Sequence, residues 1–521
     1  MYQFSGKLKT LSIALMILGV LGIGYGFLTA PKTVEEAKEI IASQHHGGHG
    51  EAHTAPAHDA HVETPAVHKE ETKSEETHGE TKAHTEAVKA EAHADEATHK
   101  EEVKTDSTHA NEVEHKEAVV ADTHKKVEEA HGEEHHDDAH AEHVFHQMQN
   151  RPWSAVYVAL FFFLGVTLLV LAFYASQRVA QSGWSVVLFR VMEAITANLH
   201  YVSVIMLLFL IATFMHMNHL FTWMGEGVLT PGHDNFDPIV YGKKWFLNTP
   251  GWLIRSIIYL AGWNFYRFFI RKNSIKQDNG DLKLHKLNYN VSVGFLAFFM
   301  ITESMMSWDW IMGLDPHWFS TLFGWYVLAT LLVSALTTIA FVTIYLRSKG
   351  ALPFVNDSHI HDLAKFMFGF SVFWTYLWFA QFMLIWYADM PEETTYYLLR
   401  FNEYKLPFLA MVVMNFIFPV LLLINSDFKS IPWFVVLGGV VILAGHYIDV
   451  FVMIMPATVG GQWFIGIPEI GAVLFFLGLF IWATFSAFAK ASPLAKGNPY
   501  LHESEEFHYY NIEHRGEDSH H

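Results

Sequence analysis

Cysteine is absent from all 521 residues, and that zero removes several chemistries at once. Disulfide bridges, thiolate zinc sites, iron–sulfur ligation and covalent c-type haem attachment all need its sulfur, so any such centre has to sit on another chain. The sequence also lacks a phosphate-binding glycine loop and a nucleophile with a base beside it. No two mid-membrane histidines on separate apolar segments suggest a haem site. Excess positive charge is missing as well: the formal net charge is -19, which argues against a nucleic acid partner.

The deficits are local. Residues 31–150 contain no Arg and almost no aromatic side chain, but they hold 11 Lys, 29 Asp plus Glu and 20 of the 34 His. That stretch alone accounts for -18 of the net charge. It cannot bury enough apolar surface to offset chain entropy and reads as a disordered, acidic, His-rich loop. Its histidines make weak metal binding chemically reasonable. The remainder is nearly neutral and strongly apolar, with 43 Phe, 16 Trp and 20 Tyr in the whole chain.

Apolar runs of membrane length occur at residues 11–28, 153–176, 194–216, 252–270, 289–307, 319–345, 365–386, 406–424, 431–455 and 467–488. Each is near the roughly 20 residues that cross about 30 Å of hydrocarbon. The fold class expected is an all-α polytopic membrane protein with about ten transmembrane helices. The first run is read as a retained helix rather than a cleaved signal, because Leu28, Thr29 and Ala30 make a poor cleavage site with Pro31 after them. Its Gly19, Gly22, Gly24 and Gly26 suit close packing on a neighbouring helix. Arg178, Arg190, Arg271, Lys272, Arg347, Lys349 and Lys429 fall in alternate connections, and the positive-inside rule then places both termini in the cytoplasm, which in a bacterium would make this the inner membrane. The His-rich loop would face the periplasm.

Charged groups at a bilayer centre cost about 2.5–3.5 kcal/mol on insertion scales, so the few inside these runs are candidate proton-transfer residues. Glu193 and His200, seven apart, would share one face of a continuous helix about 10 Å apart along its axis. They read equally as a proton path through water or as a surface carboxylate and an interhelical hydrogen-bonding residue. Glu303 stands one turn before Ser307 and close to Asp309. His446 and Asp449 are neighbours on one face, either as a structural pair or as a relay. Arg255 is expected to snorkel outward. Ser371, Thr375, Gln381 and Asn415 either support water files or bond adjacent helices.

Residues 308–326 join two apolar runs through a polar and aromatic corner. Asp309, Asp315 and His317 are flanked there by Trp308, Trp310 and Trp318, as at a membrane boundary. From Ser307 to Gly324 this corner resembles the membrane subunits of the polysulfide reductase and NrfD-like family. It looks most like those of bacterial alternative complex III. The run from Gln381 to Tyr387, with Pro391 to Thr394, and the run from Tyr447 to Phe451, with Met455 to Ala457, resemble the F subunit of that complex in particular.

The resemblance implies two four-helix bundles, spans two to five and six to nine, with one further helix on each side. The corresponding divisions are a first helix (1–30), the His-rich loop (31–150), the bundles (151–310 and 311–460), a tenth helix (461–491) and an acidic tail (492–521). It further implies a subunit without its own redox cofactor in a respiratory complex that oxidises quinol. Menaquinone, iron–sulfur clusters and c-type haems would then belong to partner chains. Those partners are a homologous NrfD-like membrane subunit, an iron–sulfur subunit, multihaem cytochrome c subunits and a terminal oxidase. Carried over by position, the proton-transfer candidates are Glu193, His200, Glu303, Asp309, His446 and Asp449. The partner-contact candidates are Asp315, His317, Trp308, Trp310 and Trp318. The long His-rich insertion departs from the family's compact pattern. Two rival readings stand beside this one: a divalent-metal transporter of zinc type, and a purely structural scaffold.

Overall fold

The computed structural model describes residues 2–47 and 117–509. It divides into two units, Met1–Ile40 with Ala139–His521, and Ile41–Asp138. In chain order its helices are α1 (Gly6–Thr29), α2 (Val34–Gly47), α3 (Glu117–Val179), α4 (Phe189–Ile195), α5 (Asn198–Phe214), α6 (Pro238–Gly242), α7 (Thr249–Gln277), α8 (Leu282–Trp310), α9 (Phe323–Ser348), α10 (Asp357–Ala388), α11 (Pro391–Asn402), α12 (Lys405–Val412), α13 (Phe418–Leu423), α14 (Ser426–Lys429), α15 (Pro432–Val459), α16 (Ile467–Phe488) and α17 (Leu501–Glu505). One π-helical turn, Val413–Ile417, joins α12 to α13.

No strand occurs among the described residues, and nine helical stretches there are long and apolar enough to cross a membrane. The protein is an all-α, multi-pass membrane protein. The tenth expected span is α7, which has 29 residues and therefore ample length, but it carries Arg255, Arg267, Arg271, Lys272 and Lys276 and is less apolar than the rest. It runs antiparallel along α8. Trp252 near its start bonds the backbone of Asp309 near the end of α8, and Gln277 at its end bonds Asn288 near the start of α8. Exposed side chains such as Leu28, Phe265 and Leu421 suit a hydrocarbon surrounding, where outward apolar surface costs nothing.

The most enclosed span is the apolar part of α3, Val144–Val179. Tyr157 stacks on Phe209 of α5, Phe162 meets Tyr447 of α15, Phe163 meets Phe476 of α16 and Phe173 meets Phe366 of α10. Helix α3 is thus the post around which the others pack. Its apolar residues point in all directions because every side has a protein neighbour.

Helices α1 and α16 were expected on opposite flanks, but they pack on each other. A Cβ at Gly19 would fall 2.4 Å from the backbone of Phe475, one at Gly22 would fall 2.9 Å from Gly471, and one at Gly26 would fall 2.6 Å from Pro468. Gly24 faces open space. Three of the four glycines noted in the sequence therefore form the contact stripe, because only residues without a side chain let two backbones approach this closely.

Most of the His-rich loop, residues 48–116, lies outside the described residues, as does the end of the acidic tail, residues 510–521. Within the expected loop of residues 31–150, α2 and the first part of α3 are helical and not disordered, in keeping with a composition rich in Ala, Glu and Lys.

Candidate functional site

Four polar clusters interrupt the apolar interior. The first surrounds Glu193. The continuous helix expected from Glu193 to His200 is broken, because α4 ends at Ile195 and α5 starts at Asn198. Glu193 is buried in a cage of cations: Oε2 accepts from Arg190 Nη1 at 2.7 Å and from Arg271 Nη1, and Arg178 Nη2 stands 3.9 Å from Oε1. Tyr174 Oη donates to Oε1 at 2.6 Å. Arg190 continues to Asp278 Oδ2 at 2.6 Å. Three hydrogen bonds, two of them from guanidinium groups, hold this carboxylate, so a proton bound there would leave those cations without their counter-charge. His200 is not in this cage; its charged neighbours are Arg267 and Lys490.

The second cluster lies between α7 and the end of α8. Asp309 is buried, and Arg255 grips it with Nε at 2.9 Å and Nη2 at 2.6 Å, while Tyr259 Oη adds a bond of 2.8 Å. Arg255 therefore turns inward to a carboxylate and does not snorkel. Glu303 is also buried, with a long 3.4 Å bond from Ser307 Oγ and no basic group within ion-pair distance among the described residues. The structure does not join Glu303 to Asp309 by a hydrogen bond.

The third cluster is at the corner. Trp310 is buried, with Nε1 donating to Ser256 Oγ at 2.9 Å, and Trp318 is buried with its ring stacked 4.0 Å from Tyr396. Both belong to the chain's own core, which corrects their reading as partner contacts. Trp308 and Asp315 are half-buried, and His317 is exposed. His317 Nε2 meets Asp237 Oδ2 at 2.5 Å, and Asp237 also caps α6 through the amides of Ile239 and Val240. Partial burial pushes the Asp237 carboxyl up, but the two amides and His317 outweigh it, and the net effect is below the ordinary value. Between the corner, α11 and α15 lies a cavity of about 230 Å³, lined in part by Asp315, Trp318, Tyr396 and Arg400.

The fourth cluster lies between α9, α10 and α15. Asp449 is fully buried on α15 and accepts from Tyr326 Oη on α9, from Thr330 Oγ1 at 2.8 Å and from Trp374 Nε1 on α10 at 2.8 Å. His446, also fully buried, holds Nδ1 at 3.6 Å from Asp449 Oδ2, beyond hydrogen-bond length. Neither of its ring nitrogens has a hydrogen-bond partner among the described residues. On α10, Ser371 Oγ and Gln381 Oε1 are buried and equally unpaired, as are both amide atoms of Asn415. Asn415 sits in the π-helical turn, where a Cβ on Gly445 would fall 2.1 Å from its Oδ1. Thr375 differs, since its hydroxyl bonds the carbonyl of Ser371 one turn back.

Sequence reasoning found His446 and Asp449 by their spacing and Ser371, Gln381 and Asn415 as isolated polar positions. It missed Tyr326, Thr330 and Trp374, which look like ordinary residues of apolar helices until tertiary packing aims them at one carboxylate. Among the described residues, no three His, Asp or Glu side chains come together as a metal-binding group. No model of a known protein family matches the chain, and no curated protein matches it.

Proposed function

We propose that this chain is an integral membrane subunit of a quinol-oxidising respiratory complex of the alternative complex III type, and that it moves protons through the second bundle. The complex is inferred from the three motifs that resemble the NrfD-like family. The observation that carries the proton role is the contrast between two buried aspartates. Each accepts a hydrogen bond from a tyrosine, Asp309 from Tyr259 and Asp449 from Tyr326. Asp309 has Arg255 as its counter-charge, and a guanidinium does not give up its proton. Asp449 has His446 instead, and imidazole changes charge in the physiological range.

Unpaired buried polar atoms recruit ordered water. Ser371, Gln381 and Asn415 therefore mark where a water file would reach His446. A proton arriving along it can be taken by an imidazole nitrogen and passed to the Asp449 carboxylate beside it. Iron–sulfur clusters, haems and quinol belong to partner chains in this reading, with the corner on the side facing them.

The test is the purified complex reconstituted in liposomes, with proton release and quinol oxidation measured together. Asp449→Asn and His446→Gln are expected to lower protons released per electron while leaving electron transfer largely intact. An unchanged ratio in both variants overturns the proton role and leaves a scaffold.

A further inference from the structure

A separate set of cations lies at the other end of the helices, where Glu193 sits and where the distribution of basic residues puts the cytoplasm. Asn264 of α7 donates to Ser203 Oγ of α5 at 2.8 Å, and this bond fixes the register of the two antiparallel helices. One turn further toward the Glu193 end, α7 presents Arg267 and α5 presents His200. Tyr201 packs on Trp482 at 5.6 Å between ring centres, which brings the end of α16, and Lys490 just beyond it, to the same place.

Charge does not balance here. Glu193 is already held by Arg190 and Arg271, and Asp278 by Arg190. Arg267 makes no ion pair among the described residues, and its buried Nε has no hydrogen-bond partner there. Its charged neighbours are Arg271 and Glu193, and that carboxylate is already shared by Arg190 and Arg271. A half-buried guanidinium beside other cations is costly unless an anion joins them.

The surface above the cations is apolar. Val204 and Leu208 follow His200 at intervals of four on α5 and are 58% and 62% exposed, and Phe268 next to Arg267 is 62% exposed. Tyr201 and Trp482 supply the aromatic edge typical of the headgroup level. A basic cluster between helices beside an apolar, outward-facing stripe has the form of a headgroup site flanked by a surface for an acyl chain.

We propose that His200, Arg267 and Lys490 bind a phosphate-bearing anion between α5, α7 and α16. An anionic phospholipid and free phosphate share that chemistry, and the exposed stripe favours the lipid. The site is independent of the proton path in the second bundle.

Native mass spectrometry of the full chain in detergent, with phosphatidylglycerol or phosphatidylcholine added at equal concentration, tests this. Phosphatidylglycerol is expected to be retained about tenfold more than phosphatidylcholine, with the preference lost in Arg267→Gln/Lys490→Gln and restored in part by Arg267→Lys. Inorganic phosphate forms the second arm. A thermal shift with phosphate alone, absent in the double variant and without lipid preference, assigns the site to the free anion. Equal retention of both lipids by the unaltered protein together with no phosphate shift overturns the proposal, whether or not the double variant folds. A preference that persists in a folded double variant overturns it too.

Discussion

Arg255 and Asp309 face each other across α7 and α8 in a two-bonded pair, with Nε 2.9 Å from Oδ2 and Nη2 2.6 Å from Oδ1. The carboxylate is buried and the arginine side chain is only 18% exposed. The pair explains how α7 tolerates an arginine within a membrane bundle. It also ties Asp309, which the sequence offered as a proton-transfer residue, to a guanidinium.

That pairing predicts an asymmetry in mutants. Arg255→Leu alone strands a buried carboxylate and is expected to cost about 3–5 kcal/mol. The double variant Arg255→Leu/Asp309→Leu removes both charges and should cost less than either single change. Thermal unfolding of the three purified proteins in one detergent checks this; a double variant less stable than both singles contradicts it.

The glycine stripe of α1 gives a second prediction. Gly22→Leu drives a side chain into the backbone of Gly471, whereas Gly24→Leu adds one to open space. Overpacking of this kind costs about 1–3 kcal/mol. Gly22→Leu should therefore lower the unfolding free energy, and Gly24→Leu should leave it within about 0.5 kcal/mol of the parent. Similar losses in both would mean that α1 does not seat on α16 through this face.

A third concerns pH. The Asp237 carboxyl lies below its ordinary value in the folded protein, so between the two values the unfolded chain binds more protons and stability rises with pH. Its contribution is complete above the ordinary carboxyl value of about 3.9 and is lost as pH falls through the folded value. Asp237→Asn should flatten the fall in stability at the acid end. Parallel curves for the variant and the parent from pH 5 downward would refute the role given to the His317 and α6 contacts.

Much of the site was visible in the chain, and the misses have a common cause. His446 with Asp449 could be found because their interaction is local to one helix. Arg255 with Asp309 could not, because the partners are 54 positions apart and both outward snorkelling and inward pairing satisfy an arginine near a membrane surface. Trp310 and Trp318 misled for the opposite reason: tryptophan marks the membrane boundary in sequence whether its ring faces outward or packs inward. Glu193 and His200 looked like one face until the turn at Thr196 and Ala197 separated α4 from α5.

Sequence alone determined that this is a helical membrane protein, because hydrocarbon leaves a backbone few ways to satisfy its hydrogen bonds and hydropathy along one segment decides whether that segment can span. It also determined that the Gly positions of the first span were suited to close contact. Only the tertiary structure decided that α16, some 450 residues away, fills that stripe. It alone showed that α3 is the central post, and that of two buried aspartates one is locked by arginine while the other is left with histidine. Those outcomes depend on which side chains meet across helices, and no property of a single helix specifies its neighbour.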